Sequence, residues 1–107
     1  MFLAWLALAV AIVSEIVGTL SLKPAGHGSV PAIGLVVVGY ATSFLLMLVV
    51  LRRIEVSVAY AIWAGAGTAV IALVGMTFLG EPADVMKVAS IALVIIGVVG
   101  LNMSGAH

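Results

Sequence analysis

Glu15 is the single charged side chain in an apolar run that extends from Phe2 to Leu22, and it stands near the middle of that run. Its surroundings read Val13-Ser14-Glu15-Ile16-Val17-Gly18-Thr19. An ionised carboxylate in hydrocarbon is costly, so an acid at this depth faces protein or a water-filled cavity. A carboxyl group in such a place can take up and release a proton. A residue whose only task was to hold a neighbouring helix, worth roughly 1 kcal/mol, would need no charge. Asn, Gln, Ser or Thr would serve for that, so the functional reading is preferred.

A second group of residues complements the acid. The block Ala59-Tyr60-Ala61-Ile62-Trp63-Ala64-Gly65-Ala66-Gly67-Thr68 sets Tyr60 and Trp63 three residues apart, on one helical face. Tyr40, Ser43 and Phe44 repeat the pattern at i, i+3 and i+4. Aromatic faces attract organic cations, Trp best, by up to about 2 kcal/mol when desolvated. Each aromatic alone would more often be plain packing. Together with one buried acid they describe a cation site.

Those residues need helices that cross a bilayer. The chain is 65% hydrophobic and 7% charged, with a mean hydropathy of +1.45. Soluble domains carry about 25% charged residues, so this is an integral membrane protein. Four apolar runs are long enough to span, at 2–22, 31–51, 58–79 and 85–103, and form a single all-helical domain over 1–107. The first run lacks a basic leading segment and is read as a retained helix, not a cleaved signal. Lys23-Pro24 is expected to end it. Arg52-Arg53 stop the second at the headgroups, Gly80-Glu81-Pro82 stop the third, and Asp84 caps the fourth. There are no cysteines. His27 falls in a loop and His107 at the terminus, so neither is taken as a ligand and no metal or cofactor is expected. No basic face exists for nucleic acid, and no polybasic cluster for anionic lipid.

Net charge is zero, and the basic residues divide evenly: Arg52 and Arg53 on one side, Lys23 and Lys87 on the other. The positive-inside rule therefore returns no orientation, although every loop is short enough for it to act. That balance points to insertion both ways and to an antiparallel pair of identical subunits. Four helices also offer little surface for a polar path of their own. On the first helix Ala4, Ala11, Glu15 and Gly18 share a face at about 100° per residue, and small residues of this kind admit close backbone approach. The fourth helix, with Gly97 and Gly100, is expected to pack, and is the candidate dimer contact. Gly65 and Gly67 weaken helix stiffness and mark a candidate hinge.

The residues Ser14-Glu15-Ile16-Val17-Gly18-Thr19, Leu22-Lys23, Tyr40, Ser43-Phe44, Ala59-Tyr60-Ala61-Ile62-Trp63, Gly65, Gly67, Gly97-Val98 and Asn102 closely resemble the small multidrug resistance family over nearly the whole chain. The resemblance implies a proton-coupled exporter of lipophilic cations in the bacterial inner membrane, working as an antiparallel homodimer around one site. By position it makes Glu15 the carboxylate for proton and substrate. Tyr40, Tyr60 and Trp63 would form the walls, Ser43 would support them, and Ala11, Gly18 and Phe44 would line the pocket beside them. Within the family the chain resembles the quaternary-ammonium branch. The guanidinium branch typically has tryptophan three residues after its glutamate, where this chain has Gly18, and tends to lack the aromatic at Tyr40. Departures from the family pattern are Trp5 for a frequent tyrosine, a shortened first loop, Ala64 for a serine and Ser90 for a glycine. Guanidinium export, one half of a heterodimer, and a non-transporting assembly subunit are the competing readings. None of them is an enzyme.

The charge balance yields a direct expectation. A reporter fused to the C-terminus of the unmodified chain should be found on both faces of the membrane. One lysine added near that end should hold it in the cytoplasm, and mixing oppositely biased variants should restore activity. A reporter confined to one face would end the dual-insertion reading.

Overall fold

The computed structural model describes residues 2–105, among which all regular structure is helical. His107 lies outside them. The elements are α1 (Phe2–Leu20), α2 (Leu22–Gly26), α3 (Val30–Val50), α4 (Val56–Phe78) and α5 (Val85–Gly105). Four stretches are long and apolar enough to cross a membrane: Phe2–Gly26, Val30–Val50, Val56–Phe78 and Val85–Ser104. The chain divides into two compact units, residues 1–54 and 55–107.

The first unit departs from expectation at Lys23-Pro24. These residues do not end the helical path; α2 carries it on to Gly26 after a break at Ser21. Pro24 explains the position of the break. It has no N–H for the carbonyl of Leu20, and its ring crowds that carbonyl, while proline is tolerated in the first turn of the new helix. Around the gap, Ser21 N–H is shared between the carbonyls of Val17 and Gly18 at 3.2 Å each, and Ser21 Oγ donates to Val17 O at 2.8 Å. The reversal comes later, at Gly28, whose φ of 92° favours glycine. Ser29 then caps α3, its Oγ accepting from Ala32 N–H at 3.3 Å, with Pro31 in the first turn.

α1 and α3 run antiparallel and pack along their length through small residues. Ala4, Leu8, Ala11 and Gly18 are buried on α1, and Ala32, Gly39, Ser43, Met47 and Val50 on α3. The small-residue face read from the sequence is thus the packed face. Its tightest point is Gly39, where a Cβ would lie 2.7 Å from Ser14 O and 3.1 Å from Gly18 Cα. Deeper along the seam, Ser43 Oγ donates to Ala11 O at 2.7 Å, with both residues fully buried.

In the second unit α4 starts at Val56, two residues before the expected boundary, and α5 continues to Gly105, two beyond it. Asp84 caps α5 as anticipated, its Oδ1 accepting from Lys87 N–H at 2.8 Å. Gly80, at φ 69°, turns the chain out of α4. The Glu81 carboxylate folds back onto Gly75, in the space a side chain there would need. α4 passes unbroken through Gly65 and Gly67. Gly65 is a seat for α5, since a Cβ on it would meet Val98 Cγ2 at 2.6 Å. α5 itself buries 6% of its apolar window, against 22–33% for the other spans.

The seam between α1 and α3 predicts a contrast between two glycines of α3. Gly39→Ala should destabilise the fold by about 1–3 kcal/mol, the cost of overpacking against backbone that cannot yield. Gly34→Ala has nothing within 4 Å and should be neutral or gain up to about 1 kcal/mol of helix propensity. Unfolding in mixed detergent micelles measures both.

Candidate cation site

Glu15 lies late in α1, where the helical repeat places Thr19 one turn further on the same face. Thr19 Oγ1 donates to Glu15 Oε1 at 2.8 Å. The same hydroxyl meets the Tyr40 hydroxyl of α3, also at 2.8 Å. Because Thr19 gives its one proton to the carboxylate, Tyr40 must be the donor in the second bond. The result is a directed chain, Tyr40 to Thr19 to Glu15, across the α1–α3 seam. The other carboxyl oxygen, Oε2, is buried without a hydrogen-bond partner among the described residues.

Tyr40 reaches Thr19 because residue 18 is glycine. A Cβ on Gly18 would stand 3.0 Å from Tyr40 Cδ1 and 3.1 Å from Cε1. The bare backbone lets the ring pack against α1 with its hydroxyl beside Thr19. Gly18 thus forms the bed under Tyr40.

Other residues expected at the site are placed differently. Ser43 and Ala11 lie in the fully packed seam, bonded to each other, where they fix the spacing of α1 and α3. Phe44 is on the exposed side of α3. In the second unit, Tyr60 and Trp63 share a face of α4 and meet edge to face, with centroids 5.9 Å apart and planes at 62°, the favoured geometry for such a pair. Tyr60 remains 60% exposed, so that ring is free for another contact. Gly97 and Gly100 of α5 have nothing within 4 Å of where a side chain would begin. No described residue fills that surface.

Thr19 went unassigned in the sequence reading. Its spacing of four from the only acid of the span was the available signal, since i and i+4 are neighbours on a helix.

The sequence profile described as Small Multidrug Resistance protein matches residues 3–94. Among similar proteins, multidrug resistance protein mmr of Mycolicibacterium paratuberculosis is 42% identical over 98% of this chain and 100% of its own length. Multidrug resistance protein Mmr of Mycobacterium tuberculosis is 44% identical over 96% of this chain and 98% of its own. Multidrug resistance protein EbrB of Bacillus subtilis is 44% identical, over 94% of this chain and 86% of its own length.

The hydroxyl chain can be tested without any transport assay. Thr19→Val removes the donor to Oε1 and should cost about 1 kcal/mol or more. It should also shift the carboxyl carbon signal of Glu15 in an NMR spectrum of labelled protein. Tyr40→Phe leaves the Thr19–Glu15 bond in place and should shift that signal less. Equal shifts, or none, would mean that the chain does not form.

Proposed function

The chain belongs to the small multidrug resistance family, and from that premise we propose that it exports lipophilic and quaternary ammonium cations in exchange for protons, both competing for Glu15. It is a multi-pass protein of the bacterial inner membrane and a multidrug transporter of its family. Transport by binding and release needs no catalytic residue. The observation that carries the proposal is the Glu15 carboxyl group. One oxygen is held by Thr19 and the other is buried without a partner among the described residues, on a helix that is otherwise apolar enough to span. A buried, unpartnered carboxyl oxygen is expensive. A proton satisfies it, and so does an organic cation. What one occupies the other cannot, and that competition couples their opposite fluxes.

The working unit in this proposal is an antiparallel homodimer in which two Glu15 side chains face one cavity. Two carboxylates at short range resist carrying full charge together, so occupancy of one bears on the other. The even division of Arg52 and Arg53 against Lys23 and Lys87 supports insertion in both senses. The open surface at Gly97 and Gly100 on the little-buried α5 supports a contact with a second copy. A flexing of α4 near Gly65 and Gly67 would exchange the side to which the cavity opens. Tyr40, Tyr60 and Trp63 would supply cation-facing walls, with Gly18 under the Tyr40 ring and Ser43 holding α3 to α1 through the Ala11 carbonyl.

A quaternary ammonium has no N–H, so it cannot make the bidentate pair with a carboxylate that guanidinium makes. Its recognition rests on charge neutralisation and aromatic contact, the two things these residues offer. Apolar pockets discriminate weakly, by about 1–3 kcal/mol per methylene, so the substrate range should be broad.

Proteoliposomes with an imposed pH gradient test the proposal. The chain alone should transport tetraalkyl- and aryl-substituted ammonium ions, with guanidinium a poor substrate. Glu15→Gln keeps size and hydrogen bonding but removes titration, so uphill export should vanish while the dimer persists. Trp63→Ala should reduce transport severely and Trp63→Phe in part. Uphill export by Glu15→Gln would sink the shared-carboxylate mechanism, and a larger guanidinium response would move the chain to the other branch.

A further inference from the structure

At the end of the first unit where α1 begins and α3 ends, two adjacent arginines stand without an ion-pair partner among the described residues. Arg52 and Arg53 follow the C-cap of α3 at Leu51, in a turn tied by Arg52 N–H to Val49 O at 3.2 Å and Arg53 N–H to Val50 O at 3.1 Å. Both side chains are exposed. With Phe2, Leu3, Ala4 and Val49 they line a cleft of about 330 Å³. No carboxylate pairs with either arginine among the described residues, where the ion pair found is Lys87 with Glu81 at 3.9 Å. Glu55, two residues on, is exposed and makes no ion pair there either.

We infer that this cleft binds an anionic phospholipid of the phosphatidylglycerol type, with its phosphate on Arg52 and Arg53 and an acyl chain over Phe2, Leu3 and Val49. Three observations carry the assignment. First, the cleft sits where two helices long and apolar enough to cross a membrane begin and end, and the ends of such helices meet the headgroup region. Second, guanidinium presents a planar fork that grips phosphate oxygens in pairs, and two such groups together favour a ligand with net negative charge over a zwitterion, whose amine they repel. Third, the rest of the lining is apolar, and two of its side chains are open, Phe2 73% and Leu3 74% exposed. A soluble phosphate would gain nothing from those side chains, whereas an acyl chain covers them. The sequence alone offers only two adjacent basic residues. The cleft that joins them to the start of α1 is visible only in the fold.

The test is native mass spectrometry of the delipidated full chain in mild detergent, offered equimolar phosphatidylglycerol and phosphatidylcholine with identical acyl chains. The unmodified chain should retain phosphatidylglycerol with a preference of at least about five-fold, the scale of one basic residue near an anionic headgroup. The Arg52→Gln, Arg53→Gln double variant should lose that preference, and Lys23→Gln or Lys87→Gln should keep it. An equal loss on removing either lysine would show diffuse attraction and overturn the site. Should the double glutamine variant not fold, Arg52→Lys with Arg53→Lys decides, because it keeps the charge and removes the fork. The preference should then fall by about half or more, and an unchanged value overturns the site. Glycerol phosphate at millimolar concentration should not displace the bound lipid; if it does, the arginines hold a soluble phosphate and the lipid assignment fails.

Discussion

The structure turns on a buried carboxyl oxygen that no described residue satisfies. Glu15 Oε1 has its donor in Thr19, while Oε2 is buried with none among the described residues. In water such an atom would be solvated at once; inside a membrane it must find a proton, a cation or a partner. With one oxygen bonded to Thr19, the carboxyl group has a set direction, and its other oxygen stays open among the described residues. In the exchange proposed for this chain, that open oxygen would be the one to supply affinity for a proton or an organic cation.

Holding that orientation requires α1 and α3 to be close and rigid relative to each other. Lipid tails are as apolar as Leu, so no hydrophobic force draws two such helices together. Close contact between small residues does it instead. Gly39 brings the backbone of α3 against Ser14 and Gly18, and Ser43 ties itself to the Ala11 carbonyl. These residues serve the site by fixing the geometry in which Tyr40 and Thr19 meet. The second unit is built more loosely on the side of α5, whose glycines at 97 and 100 face open space. A helix that buries so little within its own chain leaves apolar surface for lipid or another subunit.

Most of the architecture was legible from apolar run length alone, because a bilayer leaves a chain few alternatives to spanning helices. The face of α1 formed by Ala4, Ala11 and Gly18 could also be read, since a 3.6-residue period fixes which residues share a side. Lys23-Pro24 misled because a proline reads as a stop, although its effect falls on the carbonyl four residues earlier. The helix therefore broke at Ser21 and resumed. The roles of Ser43 and Tyr40 could not be separated by sequence. Both lie on α3 as polar residues near the acid, and only the approach at Gly39 decides which is sealed in the seam and which reaches Thr19. Gly65 was read for flexibility, while its visible task is to receive Val98.

Gly18 and Tyr40 looked like two separate marks of one branch of the family, yet in the structure they are a single feature. The ring of Tyr40 occupies the volume where a side chain at position 18 would begin, with its Cδ1 3.0 Å from that point. A bulky residue at 18 and a tyrosine at 40 thus compete for one space. Exchanging Gly18 for a large aromatic would push the Tyr40 ring off α1, and with it the hydroxyl that donates to Thr19. Thr19 would then need another donor or stand with its second oxygen lone pair idle, and the hold on Glu15 Oε1 would change in consequence. A side chain at position 18 and the present placing of the Tyr40 ring thus exclude one another. The packing of α1 against α3 therefore bears directly on how the acid is presented.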